Sequence, residues 1–147
     1  MLYTFGQLEF ADEEQLAFIL AHEIGHLVKR HPEQMEEHKM RLFGEWYDQN
    51  ANRISRLSAQ AVAEAFLREK APELEKKQVP WEAEADAEGR ALMQLAGYKT
   101  EEAARALERA QDWLWAQGDT TQDKTHDPLS VRVERLRKLD RALGQTD

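Results

Sequence analysis

Apolar residues recur at helical spacing through most of the chain, and this period sets the expected fold. Leu16, Leu20, Ile24 and Leu27 form one stripe. Asp12 stands before it where a helix N-cap belongs, and Glu13 and Glu14 occupy a first turn that suits carboxylates. The spacing predicts a helix from there to about Arg30, ended by Pro32. A short charged helix is expected over residues 33–43. A longer one is expected from near Trp46 to Lys70, with Ile54, Leu57, Ala61, Ala65 and Phe66 on its inner side. Glu69 to Pro80, with Pro72 and Pro80 among many charges, reads as a loop. Another helix is expected from Trp81 to Ala96, closed by Gly97 at C′, and another from Thr100 to about Trp115. A polar loop, Gly118 to Pro128, then leads to a last helix carrying Leu129, Val133, Leu136 and Leu143. The strand signal is confined to Leu2-Tyr3-Thr4-Phe5 and Leu8-Glu9-Phe10, broken at Gly6. The expected fold is therefore mainly α, α+β at most, with a short N-terminal strand or hairpin.

Composition narrows this picture in three ways. A chain of 147 residues is one domain, 1–147, and 41 % hydrophobic with 33 % charged residues reads as globular rather than disordered. The formal net charge of −8 argues against a non-specific grip on nucleic acid phosphates or anionic lipid. With no cysteine there is no disulfide and no thiolate metal site, so a zinc ion would have to sit on His, Asp or Glu. No apolar run approaches the roughly 20 residues that span a bilayer, and the start lacks a secretory signal pattern. A soluble chain without membrane contact is expected, with a cytoplasmic location favoured unless the chain is an excised domain.

The candidate chemistry lies in His22-Glu23-Ile24-Gly25-His26, in a chain with only five histidines. On a helix, positions i and i+4 share a face about 6 Å apart. His22 and His26 can therefore turn both imidazoles to one ion, as two ligands of a tetrahedral zinc site do. Glu23 lies about 100° around the helix from His22. That suits a general base against water rather than a further ligand. Gly25 lets another element approach closely. Five histidines and abundant glutamate would produce this pattern by chance in roughly one or two such chains in a hundred. The apolar stripe lies on one side of the helix and both histidines on another, which predicts the stripe in the core and the motif outside it.

A third ligand can come from Trp81-Glu82-Ala83-Glu84-Ala85-Asp86. Glu82 and Asp86 share a face at i, i+4. Glu82 could bind the metal while Asp86 accepts the free N–H of a ligand histidine, fixing its tautomer. Glu84 competes with Glu82 on spacing alone, and a solvated acidic helix start would explain all three carboxylates. His31, just before Pro32, reads as a helix C-terminal cap rather than a ligand, and His38 as solvent-facing. Trp46, Trp113 and Trp115 read as core or rim.

Leu20-Ala21-His22-Glu23-Ile24-Gly25-His26 with Arg30-His31, then Glu82-x-x-Ala85-Asp86 and Ala96-Gly97-Tyr98, resembles the gluzincin peptidases related to the CAAX prenyl protease. The bacterial heat-shock membrane protease and soluble periplasmic relatives share that family. The resemblance runs from about Gly6 to Arg132. It implies a compact helical zincin-type domain and one zinc ion per chain, held by His22, His26 and Glu82. It also implies Glu23 as base, Asp86 behind a ligand histidine, and a peptide or protein substrate. It favours Glu82 over Glu84. Thr125-His126-Asp127-Pro128, with Arg132 following, resembles the family's terminal T-H-P…R segment, although Asp127 interrupts the His-Pro pair. This points to His126 as a cleft residue or fourth ligand and to Arg132 as a stabiliser of the oxyanion.

Larger relatives carry more sequence before the active-site helix than Leu2 to Phe10, so the chain resembles the minimal members, the minigluzincins, or else a domain cut from a longer chain. An unpaired strand there would invite a second subunit to pair with it. Three functional classes follow: a zinc endopeptidase; a latent or regulatory zinc-binding domain whose cleft is blocked by the Gly118–Pro128 loop; and a helical interaction module without metal.

Overall fold

The computed structural model describes residues 12–116, 118 and 127–143. Among these, five helices follow one another: α1 Glu13–Val28, α2 His31–Ile54, α3 Ala59–Leu95, α4 Glu101–Ala116 and α5 Leu129–Leu143. The mainly α expectation holds, and the strand expectation is corrected. The elements among the described residues are five helices with no strand, so no α+β element is found among them. The segment Leu2–Phe10, on which a strand or hairpin was expected, lies outside the described residues.

Helix α1 begins as its sequence requires. The Asp12 side chain accepts from the backbone N–H of Gln15 at 3.0 Å, and the Gln15 side chain reaches back to the backbone N–H of Asp12, closing a capping box. The helix ends at Val28, not at Pro32. Arg30 turns left-handed (φ 58°, ψ 35°), and Pro32 falls in the first turn of α2, where its missing N–H costs nothing. Gln34 reaches back over this corner, donating its amide N–H to the Lys29 carbonyl at 2.7 Å.

The expected loop over Glu69 to Pro80 is instead the middle of α3, and the expected break between residues 43 and 46 is the middle of α2. Each interior proline costs about 3 kcal/mol in a helix. Packing on both sides of the pair opposes that cost. Phe66 and Leu74 pack with Leu42, Trp46 and Ile54 of α2. Trp81 and Ala85 are buried farther on. Glu69 accepts from the Trp46 indole at 2.9 Å and from Arg53 at 3.0 Å, bonds that hold its carboxyl below the ordinary glutamate range. At about 1.5 Å per residue, the 37 residues of α3 run roughly 55 Å. That length serves two clusters, one against α2 and one formed by Phe18, Met93, Ala104, Leu107, Val133 and Leu136 of α1, α3, α4 and α5.

The end of α3 follows its sequence signal. Gly97 has φ 82°, with Tyr98 N–H on the Met93 carbonyl and Gly97 N–H on the Gln94 carbonyl, the paired bonds of a Schellman motif. Arg90 then ties α3 to α5 and to the turn before α4, donating to Asp140 at 2.7 Å and to Thr100 at 3.2 Å. No helix among the described residues is long and apolar enough to cross a membrane.

Helix α1 presents a different side to the interior from the one its apolar period predicts. Leu20, Ile24 and Leu27 are 55, 48 and 66 % exposed, whereas Gln15, Phe18, Ala21, His22 and Gly25 are buried. The reason is the close approach of α3, which runs antiparallel to α1. A Cβ on Gly25 would lie 3.1 Å from the Ala85 carbonyl oxygen, and one on Gly89 would lie 2.8 Å from the His22 backbone nitrogen. Small residues, not large ones, select the buried side.

Gly89→Ala should therefore destabilise the fold by about 1–3 kcal/mol through overpacking against backbone. Gly44→Ala, at an exposed mid-helix site with nothing within 4 Å, should stabilise it by about 0.5–1 kcal/mol. Urea denaturation of both variants checks the contrast. Equal and small effects would remove Gly89 from the account of helix approach.

Candidate metal centre

Antiparallel pairing of α1 and α3 sets two i, i+4 pairs face to face. His22 meets Asp86, and His26 meets Glu82. Three acceptor atoms converge: His22 Nε2 lies 3.2 Å from His26 Nε2 and 3.2 Å from Glu82 Oε2, and His26 Nε2 lies 3.3 Å from that oxygen. Ligand atoms on a tetrahedral zinc ion with bonds of 2.0–2.1 Å lie about 3.3 Å apart. The triangle fits that geometry on all three edges, and these three residues form a group able to hold a metal ion.

Proton placement sharpens the fit. His22 Nδ1 lies 3.1 Å from Asp86 Oδ1; an N–H there donates to the carboxylate and leaves Nε2 a lone pair facing the other two acceptors. Burial is the largest influence on the His22 imidazole and opposes its charging, but the bonds to Asp86 and Glu82 together outweigh it and raise its pKa.

Asp86 is itself held by Arg132, delivered by α5. The guanidinium donates from Nε to Oδ2 at 2.8 Å and from Nη2 to Oδ1 at 2.6 Å. Burial, again the largest single influence, pushes the Asp86 carboxyl up, but Arg132 and His22 together hold it below the usual aspartate range. His22 and Asp86 are each 1 % exposed and Arg132 is 2 % exposed. A buried carboxylate without such partners would protonate or unfold the site.

Glu23 is half-buried, and its Oε1 is shielded from solvent with no hydrogen-bond partner among the described residues. Buried carboxylate oxygens are ordinarily satisfied. An unsatisfied one beside a histidine pair on the same helix suits an acceptor waiting for a mobile proton donor.

Of the residues singled out by sequence, His22, His26, Glu82 and Asp86 come together, and Arg132 joins them through Asp86. Glu84 turns to His31 instead, at 3.3 Å. His126 lies outside the described residues. His38 is half-buried beside Arg41 rather than fully solvated, and Trp46 lies in the α2–α3 core. Sequence reasoning missed His31, which is 3 % exposed and touches the His26 ring. It reads as a C-terminal cap only if the first helix runs on to it, whereas that helix stops at Val28 and His31 opens the next. Gly89 was missed as well. The available signal was the matched spacing of Ala21/Gly25 and Ala85/Gly89 on the two motif-bearing helices.

The sequence model of peptidase family M48 matches residues 4–140, nearly the whole chain. No curated protein and no solved structure matches it.

Arg132→Met should cost about 3–5 kcal/mol, because it leaves the Asp86 carboxylate buried without its guanidinium. Chemical denaturation of the metal-free protein measures this. A guanidinium serving only the reaction would leave the unfolding midpoint in place.

Proposed function

The chain belongs to peptidase family M48, a family of zinc metallopeptidases, and we propose that it is a zinc-dependent endopeptidase whose own residues divide the work as follows. His22, His26 and Glu82 hold the ion, Glu23 is the general base, and Asp86 orients His22. The observation that carries the reading is the triangle of two imidazole nitrogens and one carboxylate oxygen, 3.2–3.3 Å on each edge.

A zinc ion bound there supplies a Lewis acid for polarising a peptide carbonyl. The protein supplies position and proton transfer. Glu23 takes a proton from the attacking water on its unsatisfied Oε1, and the same carboxyl returns it to the leaving amine, so the base is regenerated in each cycle. Asp86 keeps the His22 proton on Nδ1, which holds Nε2 free for the ion. Arg132 acts through Asp86. Its two bonds to that carboxylate keep it ionised in a buried position, so Arg132 is assigned to positioning rather than to the oxyanion. The substrate is a peptide or protein.

Elemental analysis should find about one zinc per chain in the wild type and none in His26→Ala. Glu23→Ala should keep zinc and the unfolding midpoint while peptide cleavage falls by about 10²–10⁴-fold. Glu82→Ala should lose zinc under the same dialysis. Metal lost from Glu23→Ala but kept by Glu82→Ala would reverse the assigned roles and defeat the reading.

A further inference from the structure

We propose that His31 is the positioning residue for His26, as Asp86 is for His22; the proposal rests on the metal-site reading above. The contacts form one continuous line. His31 Nδ1 lies 2.9 Å from His26 Nδ1, and His31 Nε2 lies 3.3 Å from Glu84 Oε2.

Only one proton arrangement serves every contact and leaves His26 able to bind an ion. With His26 Nε2 kept as a lone pair, its proton sits on Nδ1 and is donated to His31 Nδ1. His31 then carries its proton on Nε2 and donates it to the Glu84 carboxylate. The opposite arrangement puts a proton on His26 Nε2, which blocks that ligand, and sets the bare His31 Nε2 against a carboxylate, acceptor against acceptor. The carboxylate at the far end thus selects the tautomer two rings away. Glu84 is 57 % exposed in its side chain, so it biases the choice without fixing the ring.

The ring is fixed by packing. His31 stacks on Trp81 with centroids 5.4 Å apart and planes 13° from parallel, and both residues are buried. Lys77 covers the Trp81 indole at 5.3 Å. The turn that brings His31 under His26 passes through Arg30 in the left-handed region, a conformation that costs a non-glycine residue about 1–2 kcal/mol. Without that turn, α1 would continue and carry residue 31 away from the His26 ring.

Two substitutions separate positioning from packing. His31→Phe keeps an aromatic ring on Trp81 but has no acceptor for the His26 proton. His31→Asn gives up the stack but places an amide oxygen where Nδ1 stood. Zinc affinity, measured by competition with a chromophoric chelator, should fall about 10–100-fold in His31→Phe and recover to within a few-fold of wild type in His31→Asn. In proton NMR of the zinc-loaded protein, the His26 Nδ1–H signal should be protected from exchange in the wild type and in His31→Asn, and lost in His31→Phe. Thermal melts of the metal-free variants report folding separately. Wild-type zinc affinity in His31→Phe, or equal losses in both variants that track their melting temperatures, would overturn the proposal. Failure of the wild type to bind zinc would end the metal-site reading itself, and this proposal with it.

Discussion

The His22–His26–Glu82 triangle depends on two helix backbones lying closer than ordinary side chains permit. Ala21 and Gly25 on α1 meet Ala85 and Gly89 on α3. At Gly89 even a methyl group would sit 2.8 Å from the His22 nitrogen, closer than carbon and nitrogen tolerate without movement. Because both small pairs have i, i+4 spacing, His22 and His26, one position after Ala21 and Gly25, are brought against Asp86, one position after Ala85, and Glu82, one turn before Asp86. A wider gap would pull the imidazoles and the carboxylates apart together.

Close approach has an energetic consequence. It buries an aspartate and an imidazole that would otherwise be solvated, and burial alone opposes charge on both. The bidentate Arg132 contact offsets this, and it comes from α5, nearly fifty residues farther along the chain. The last helix therefore supports the triangle although it contributes none of its three atoms. Arg90 anchors that helix by its bond to Asp140, so the support of the site runs from α1 through α3 to α5. His26 is backed differently, by a stacked ring and an exposed carboxylate.

Much of this was legible in the sequence. The i, i+4 spacing of His22/His26 and of Glu82/Asp86 survives intact in the structure, because local helix geometry fixes it whatever the tertiary arrangement. The Asp12 cap and the Gly97 terminus were legible for the same reason. What failed was inference from composition to environment. Leu20, Ile24 and Leu27 have the period of a core face and lie exposed, since the contact with α3 is chosen by the absence of side chains. Pro72 and Pro80 read as a loop and lie within one helix, because packing at both ends exceeds a local propensity. His31 read as a cap because the chain turns left-handed one residue before it.

The reading of the site requires that two imidazole nitrogens, of His22 and His26, and one carboxylate oxygen, of Glu82, hold a zinc ion between α1 and α3. X-ray absorption at the zinc edge of the loaded protein tests it most directly. Nitrogen and oxygen neighbours should lie at about 2.0–2.1 Å in a four-coordinate shell, with outer-shell imidazole scattering that falls by one ring in His26→Ala loaded with excess zinc. A six-coordinate oxygen shell without imidazole scattering in the wild type would contradict it.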